Sequence, residues 1–583
     1  MHDTIDIHAL VEKVMMSFST MPIYQENYLA LSSEVATFPY IMDPAGICKV
    51  ECKKKGESYS YWIAPISSFV KIAKRLVFID ENRTDIVIQY YVGSTIREIP
   101  VSRKETLSKA GIRSLLTLGI SFNESHCDSL LIYLLQSERS APVEYVHSRL
   151  GWFEINGTKI FRSYESLCGN GSLPFTSHYA GSLDLEPRGS LQKWISMVRQ
   201  DVLPRTPLTF CMLCGFASPV LSCLYKKYDL GSLVFCISSG SSRGKTTACM
   251  LSTSVFSSPI LGNGTMQSFN ATQNALMSLL AETSGLTVVL DEGGTFSGDF
   301  NKLFYLISAG KEKNRLNKEA EMRKPLGWNS IVLTTAEFIP VDDNSPNGIR
   351  TRVFCLTDRM TKNADQADRI KAVISENYGQ AGSCFVKWLL NANVDIEKDY
   401  LRCKQTLHHE LKAAGLKEGP FTSRMFSRLA IILQVADYVC QCFSLNIRVK
   451  HLVKYIIRIE RNVNKKTDST QRALDNILAE VSCSSARYIS ATKPNPDNAV
   501  GRVQQSGEFK LITILRPEFY RICKKYGLQP KLILKEFKKR GWLSFERDRL
   551  SKRMRLQRGF PEQVCYVLKI EDTDDQQNDV INF

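Results

Sequence analysis

The sequence predicts a multidomain α/β protein with a parallel-sheet core, a β-rich N-terminal domain, a helical segment and a small basic C-terminal unit. Three observations predict it. Residues 190–360 alternate apolar strand-like runs with helical periodicity, the pattern of a parallel sheet wrapped by helices. Residues 365–480 keep a helical period throughout. Residues 508–570 follow the order helix, helix, two strands, and from Lys510 to Arg558 they carry sixteen Lys and Arg against four Asp and Glu.

At 583 residues the chain has room for about three to four domains. Its 44% apolar and 23% charged residues are a globular composition, and the net charge of +16 points to a polyanionic partner. The N-terminus, MHDTIDIHAL, lacks the basic and apolar regions of a signal peptide. The 17 cysteines have no regular spacing and read as reduced, mostly buried thiols of a cytoplasmic protein. Cys211-x-x-Cys214 lies in an apolar segment without a second ligand pair, so it reads as core packing. The longest apolar stretch, Leu208–Tyr225, contains Gly, Pro and Ser and reads as a buried helix, with no membrane partner.

An amphipathic helix is predicted at Ile5–Ser19. Strands follow at Phe69–Ala73, Thr84–Val92 and Ile96–Val101. The period turns helical from Ser102 to Gln136, with a helix end near Leu115–Gly119, and Asn156-Gly157 marks a hairpin. Domain boundaries are read at 1–188 (N-terminal), 189–365 (core), 366–489 (helical lid), 490–507 (linker), 508–570 (winged helix) and 571–583 (acidic tail).

The core is organised around Gly231–Phe256. A β-branched apolar run, Leu233–Ile237, leads into a Ser/Gly-rich loop, and Gly244-Lys245-Thr246-Thr247 opens a helix. This is the context of a phosphate-binding loop: backbone N–H groups of Ser239, Gly240, Ser241, Ser242, Arg243, Gly244, Lys245, Thr246 and Thr247 wrap an ATP, at a helix N-terminus. Lys245 would reach the terminal phosphates and Thr246 would hold Mg²⁺. The usual spacing puts a glycine at 239, where this chain has Ser239. About 45 residues on, Leu286–Leu290 ends in Asp291-Glu292. Asp291 would bind Mg²⁺ through water and Glu292 would polarise the attacking water. A third strand, Ser330–Thr335, would set Thr334 or Thr335 beside these carboxylates if it lies between the other two. The basic run Gly310–Trp328 is a solvated loop or a hairpin whose Lys318, Arg323 and Lys324 touch a polyanion. After the turn Ser345–Gly348, Arg350 and Arg352 precede a strand. Either could reach a neighbouring subunit's nucleotide. In the C-terminal unit, Lys535, Lys538, Lys539 and Arg540 on the second helix, with Arg547 and Arg549 at the hairpin tip, would bind DNA phosphates.

Together, SSGSSRGKTT, LTVVLDEGG, AGKEKNRLN, GWNSIVLTTAE and the arginines of GIRTRV resemble a P-loop family of phage, plasmid and cassette-chromosome proteins. Its best-understood members are MCM-like AAA+ replicative helicases encoded by cassette chromosomes. The similarity runs from about residue 60 to about residue 570 and includes VEYVHSRLGW and the winged-helix end. It implies an AAA+ core with a lid, and a homo-hexameric ring that moves on single-stranded DNA using ATP and contacts duplex DNA as well. By the same resemblance Thr335 is the sensor-1 position, Arg352 the trans arginine finger and Arg424 the sensor-2 arginine, and Lys318 lies on a presensor hairpin. Where the family has a glycine after the sensor threonines, this chain has Ala336. Two other readings start from the same residues: an ATPase switch that loads or remodels without unwinding, and a non-enzymatic winged-helix protein. The intact Lys245, Thr246, Asp291 and Glu292 argue against the second.

Overall fold

The computed structural model describes residues 39–571 other than 44, 57, 170–174, 241, 297, 313–314, 317–321, 324, 338–346, 420, 468, 492–495, 497, 508 and 547–548. The helix expected at Ile5–Ser19 and nearly all of the acidic tail lie outside the described residues. The chain divides into two compact units. One holds residues 1–339, 355–407 and 427–453, and the other holds residues 340–354, 408–426 and 454–583.

The first unit begins with β-structure. Val70–Phe78, Arg83–Val92 and Thr95–Ser102 form an antiparallel meander, extended in parallel by Val143–His147 and Ser177–Tyr179. Their alternating apolar side chains (Ile72, Ile86, Ile88) pack against Leu130, Tyr133 and Leu134 of helix Cys127–Ser140. The helical period ahead of it ends in a 3₁₀ turn, Leu115–Leu118, closed by Gly119 in left-handed conformation. Asn156 and Gly157 both take positive φ (49° and 77°), so the hairpin Gly151–Ile155/Thr158–Arg162 closes on the turn its sequence demands.

The core follows. Helix α1 (Thr206–Tyr228) starts on Pro207 and is buried along nearly its whole length. Cys211 and Cys214 are fully buried, and no cluster of His, Cys, Asp or Glu among the described residues could hold a metal ion. Pro219 inside α1 cannot donate to the Gly215 carbonyl. The Thr287 hydroxyl approaches that freed end, donating to the Cys214 carbonyl at 2.7 Å. The strands are β1 (Leu233–Ser238), β2 (Met266–Ser268), β3 (Val288–Asp291), β4 (Ile331–Ala336) and β5 (Val353–Leu356), in spatial order β2-β3-β4-β1-β5. The β2-β3, β3-β4 and β4-β1 pairs are parallel. Every side chain of β1, β3 and β4 is buried, as a parallel sheet covered on both faces requires. Helix α2 (Lys245–Thr253) follows β1 and α3 (Gln273–Glu282) follows β2, while α4 (Phe300–Ala309) follows β3.

Helices Ala364–Ile374, Gln380–Asn391, Ile396–Ala413, Thr422–Phe443, Val449–Thr467 and Ser469–Cys483 fill the stretch read as helical. The last of these departs from the expected boundaries. Ala473, Leu474, Ile477 and Val481 share an apolar cluster with Phe519, Ile522, Leu534 and Phe537 of the C-terminal unit. Buried Glu480 pairs with Arg521 (2.9 Å) and Lys525 (2.6 Å), which hold its carboxyl below the ordinary range. The expected linker also contains a strand: Gly501–Ser506 pairs with Phe509–Leu515. That strand joins a sheet with Tyr488–Ile489, Gln563–Glu571 and Leu543–Ser544, and Lys552–Met554 pairs on Gln563–Glu571. Helices Arg516–Lys525 and Pro530–Lys539 complete the unit.

Candidate functional site

Among its described residues, the loop between β1 and α2 takes left-handed backbone at two places. One is Gly244 (φ 81°), where any Cβ would stand 2.5 Å from the Thr361 hydroxyl oxygen. The other is Ser242 (φ 60°). Neither Ser239 nor Gly240 has positive φ, so this loop bends without the glycine that the common spacing puts at 239. Ser239 is buried, and its hydroxyl has no hydrogen-bond partner among the described residues. From outside, the Met360 N–H donates to the Arg243 carbonyl at 2.9 Å. Lys245 Nζ folds back and donates to the carbonyls of Ser239 (2.5 Å) and Gly240 (3.4 Å). The Thr246 side chain opening α2 is exposed, and Ser241 lies outside the described residues.

Strand β4 lies between β3 and β1, with Thr335 paired to Ile237 and Thr334 to Leu290. This register brings Thr335 level with Asp291 at the carboxyl edge of the sheet. The Thr335 hydroxyl donates to Asp291 Oδ1 and accepts from the Glu292 backbone N–H at 3.1 Å. One hydroxyl thus fixes both acidic positions. Asp291 and Thr335 are buried (5% and 4% exposed), whereas the Glu292 side chain is exposed. Glu292 has left-handed backbone (φ 61°, ψ 51°), a conformation costing a non-glycine residue roughly 1–3 kcal/mol. The Thr295 hydroxyl holds that turn by donating to the Glu292 carbonyl at 2.8 Å. Behind the loop, burial first and then the Asp291 charge hold the Cys249 thiol well above its ordinary pKa, so it stays protonated.

Helix α4 ends at Gly310 and leads into a two-stranded antiparallel hairpin, Arg315–Leu316 with Met322–Arg323. The Trp328 indole anchors the return by donating to the Ile307 carbonyl at 3.0 Å. Lys318 and Lys324 lie outside the described residues, and Arg323 is placed by its backbone alone. Arg352 and Arg424 fall in the second unit. Arg352 donates to the Gly348 carbonyl of its own turn at 3.2 Å, and Arg424 is exposed on helix Thr422–Phe443. In the C-terminal unit Lys535, Lys538, Lys539, Arg540 and Arg549 are all exposed, and Arg547 lies outside the described residues. Lys538 stacks over Phe545, Arg540 over Trp542, and Lys539 pairs with Glu536. A cleft of about 860 Å³ is lined by Arg83, Arg149, Trp152, Tyr225 and Lys226 among others, and by none of the residues at the carboxyl edge.

Motif spacing located the loop, the acidic pair and the threonine strand. It carried no signal for Thr361 behind Gly244, for the left-handed Ser242 and Glu292, or for the bracing of Arg243. The arrangement could hold a polyphosphate on the loop N–H groups and a divalent cation between Thr246 and Asp291.

The fold and this edge define an α/β protein with a glycine-lysine-threonine loop and a C-terminal helix-turn-helix unit. Residues 40–326 match the family described as "Domain of unknown function (DUF927)", and residues 468–573 match the "Cch helix turn helix domain" family. The solved structure "SCCmec type IV Cch - active helicase" has the same fold, with a TM-score of 0.69 and 22% identity over 91% of this chain and 97% of that one. No curated protein matches the chain in sequence.

Proposed function

We propose that the chain is an ATP-dependent DNA helicase or translocase of a mobile genetic element. In this reading an AAA+ P-loop core with a helical lid works in the cytoplasm as a homo-hexameric ring on single-stranded DNA during replication. The observation that carries the reading is the Thr335 hydroxyl bonded to both Asp291 and the Glu292 backbone, on the strand next to the Gly244-Lys245-Thr246 loop. The solved helicase with this fold and the match of residues 468–573 to a helix-turn-helix family support it.

The residues fit ATP and Mg²⁺. Gly244 has no room for a side chain, the buried Ser239 hydroxyl has no partner among the described residues, and Lys245 rests on loop carbonyls that a phosphate could replace. Bound ATP with Mg²⁺ would supply the phosphoanhydride bond whose hydrolysis drives the cycle. Lys245 neutralises phosphate charge, and Thr246 with Asp291 holds the cation. Glu292, exposed beside the buried aspartate, orients a water and takes its proton. Thr335 keeps both acidic positions in register. Arg352 acts on the neighbouring subunit's nucleotide and Arg424 on its own. The hairpin residues Lys318, Arg323 and Lys324 grip single-stranded DNA, and the exposed cations from Lys535 to Arg549 bind duplex phosphates.

Strand displacement on a forked duplex, with and without ATP, tests the reading. Displacement is expected only with ATP, and not by Lys245→Ala. Hydrolysis without displacement on forks of either polarity would indicate a loading or remodelling switch instead. The ring is tested by mixing inactive Arg352→Ala and Lys245→Ala subunits: some interfaces then pair an intact loop with an intact arginine, and part of the hydrolysis returns. Mixed rings with no recovery would remove Arg352 from the trans role.

A further inference from the structure

Away from this edge, two cysteines meet on the seam between helices Gln380–Asn391 and Thr422–Phe443. Trp388 of the first helix and Tyr438 of the second have ring centroids 5.5 Å apart. Four residues back along one helix stands Cys384, and four residues on along the other stands Cys442. Their chain neighbours Phe385 and Phe443 both pack on the same ring, Phe216, at 5.1 Å and 5.7 Å. The two thiols, both half-buried, are in hydrogen-bond contact with each other. A peroxide-sized oxidant can therefore reach the pair, while the aromatic seam keeps the sulfurs facing.

We propose that Cys384 and Cys442 form a reversible redox site, in which hydrogen peroxide oxidises Cys384 and the resulting sulfenic acid condenses with Cys442 to a disulfide. The roles follow from the surroundings. Contact with Cys442 and the charge of Lys387, one helical turn on from Cys384, lower the Cys384 thiol against the cost of burial, and the lysine on that side makes Cys384 the attacking sulfur. Cys442, half-buried and facing it, is the resolving thiol. The Cys384 sulfur attacks one peroxide oxygen, the O–O bond breaks, and hydroxide leaves. Cys442 gives up its proton, its sulfur attacks the Cys384 sulfur, the S–O bond breaks, and the S–S bond forms. The two thiols lose two electrons. With the proton that Cys384 had already released counted, the peroxide becomes two waters. The bond would staple the two helices until a dithiol reductant opens it.

The test uses the full chain treated with hydrogen peroxide, then alkylated and digested without reduction. A cross-linked peptide pair containing Cys384 and Cys442 is expected. It should be lost on dithiothreitol treatment, absent from Cys384→Ser and Cys442→Ser, and retained in Cys440→Ser, which separates Cys442 from its half-buried neighbour. In Cys442→Ser a sulfenic acid should accumulate on Cys384 and be trapped by dimedone at least about tenfold faster than on the exposed Cys483. Alkylation of both thiols in the peroxide-treated, folded protein, or dimedone labelling of Cys483 in preference to Cys384, would overturn the proposal.

Discussion

The carboxyl edge of the central sheet and the basic face of the C-terminal unit handle charge in opposite ways. At the edge Asp291 is buried and its orientation is set by Thr335, which also holds the Glu292 backbone. On the C-terminal face Lys535, Lys538 and Lys539 stand in solvent, and their pairings are those of long flexible side chains with Phe545 and Glu536. The difference teaches where geometry matters. A buried group fixed by hydrogen bonds acts through position, so one atom decides its effect. An exposed cation acts through its charge, so neighbours substitute for it and salt screens it.

The largest effect should come from Lys245→Ala and Glu292→Gln. Each is expected to lower ATP turnover by on the order of 10³-fold or more, measured as steady-state phosphate release, with the circular dichroism spectrum unchanged. Turnover within tenfold of wild type in either variant would erase the contrast between the two regions.

Thr335→Val keeps shape and removes one oxygen. Asp291 and the Glu292 N–H would lose a shared partner, which should cost about 1–3 kcal/mol of stability and on the order of 10²-fold in turnover. Thr335→Ser should restore most of both. If serine behaves like valine, packing of the methyl rather than the hydroxyl organises the edge.

A buried histidine extends the comparison to pH. His147 is fully buried, with Nδ1 2.9 Å from the Ser177 hydroxyl and Nε2 2.9 Å from the Ser163 carbonyl. Burial, reinforced by the Arg162 charge, lowers its pKa from 6.5 to about 4. The unfolded chain therefore takes up a proton before the folded one. This contribution is fully present above pH 6.5 and is lost as the pH falls from 6.5 towards 4, by up to about 3 kcal/mol. Urea unfolding at pH 7 and pH 5 should show the loss in the wild type and a flatter dependence in His147→Gln.

The smallest effect should come from Lys535→Ala. Duplex affinity should change by less than about 1 kcal/mol, while the log–log salt slope drops by about 0.9 if the lysine meets one phosphate. An unchanged slope would place Lys535 off the DNA.

Local patterns made much of the architecture legible. The alternation of residues 190–360, the Asn156-Gly157 turn and the two consecutive helices followed by strands after residue 515 all correspond to elements in the structure, whereas the strand Phe509–Leu515 that opens the C-terminal unit was not read. Boundaries were less legible where burial is decided by distant residues. Helix Ser469–Cys483 reads like the helices before it, yet Glu480 and Ile477 find their partners far along the chain in Arg521, Phe519 and Phe537. The stretch 490–507 looks like a linker because Gly501–Ser506 is polar, and only its pairing with Phe509–Leu515 makes it a strand. A chain ended near Gly507 would therefore cut a sheet. Residue 467 is the better end point for removing the C-terminal unit.

By itself the sequence determined the chemistry available to this protein: a lysine and hydroxyls after one strand, two carboxylates after another, threonines ending a third, and a surplus of cations near the C-terminus. These are local facts, set by residue type and by the strand and helix periods. Only the tertiary structure decided that the threonine strand runs between the other two, so that Thr335 reaches Asp291 and Glu292. It also decided that Ser242 rather than residue 239 takes the left-handed bend, and that Cys384 and Cys442 share a seam. Strand order, backbone strain and helix pairing depend on contacts between residues far apart in the chain, and no local pattern encodes which of those contacts form.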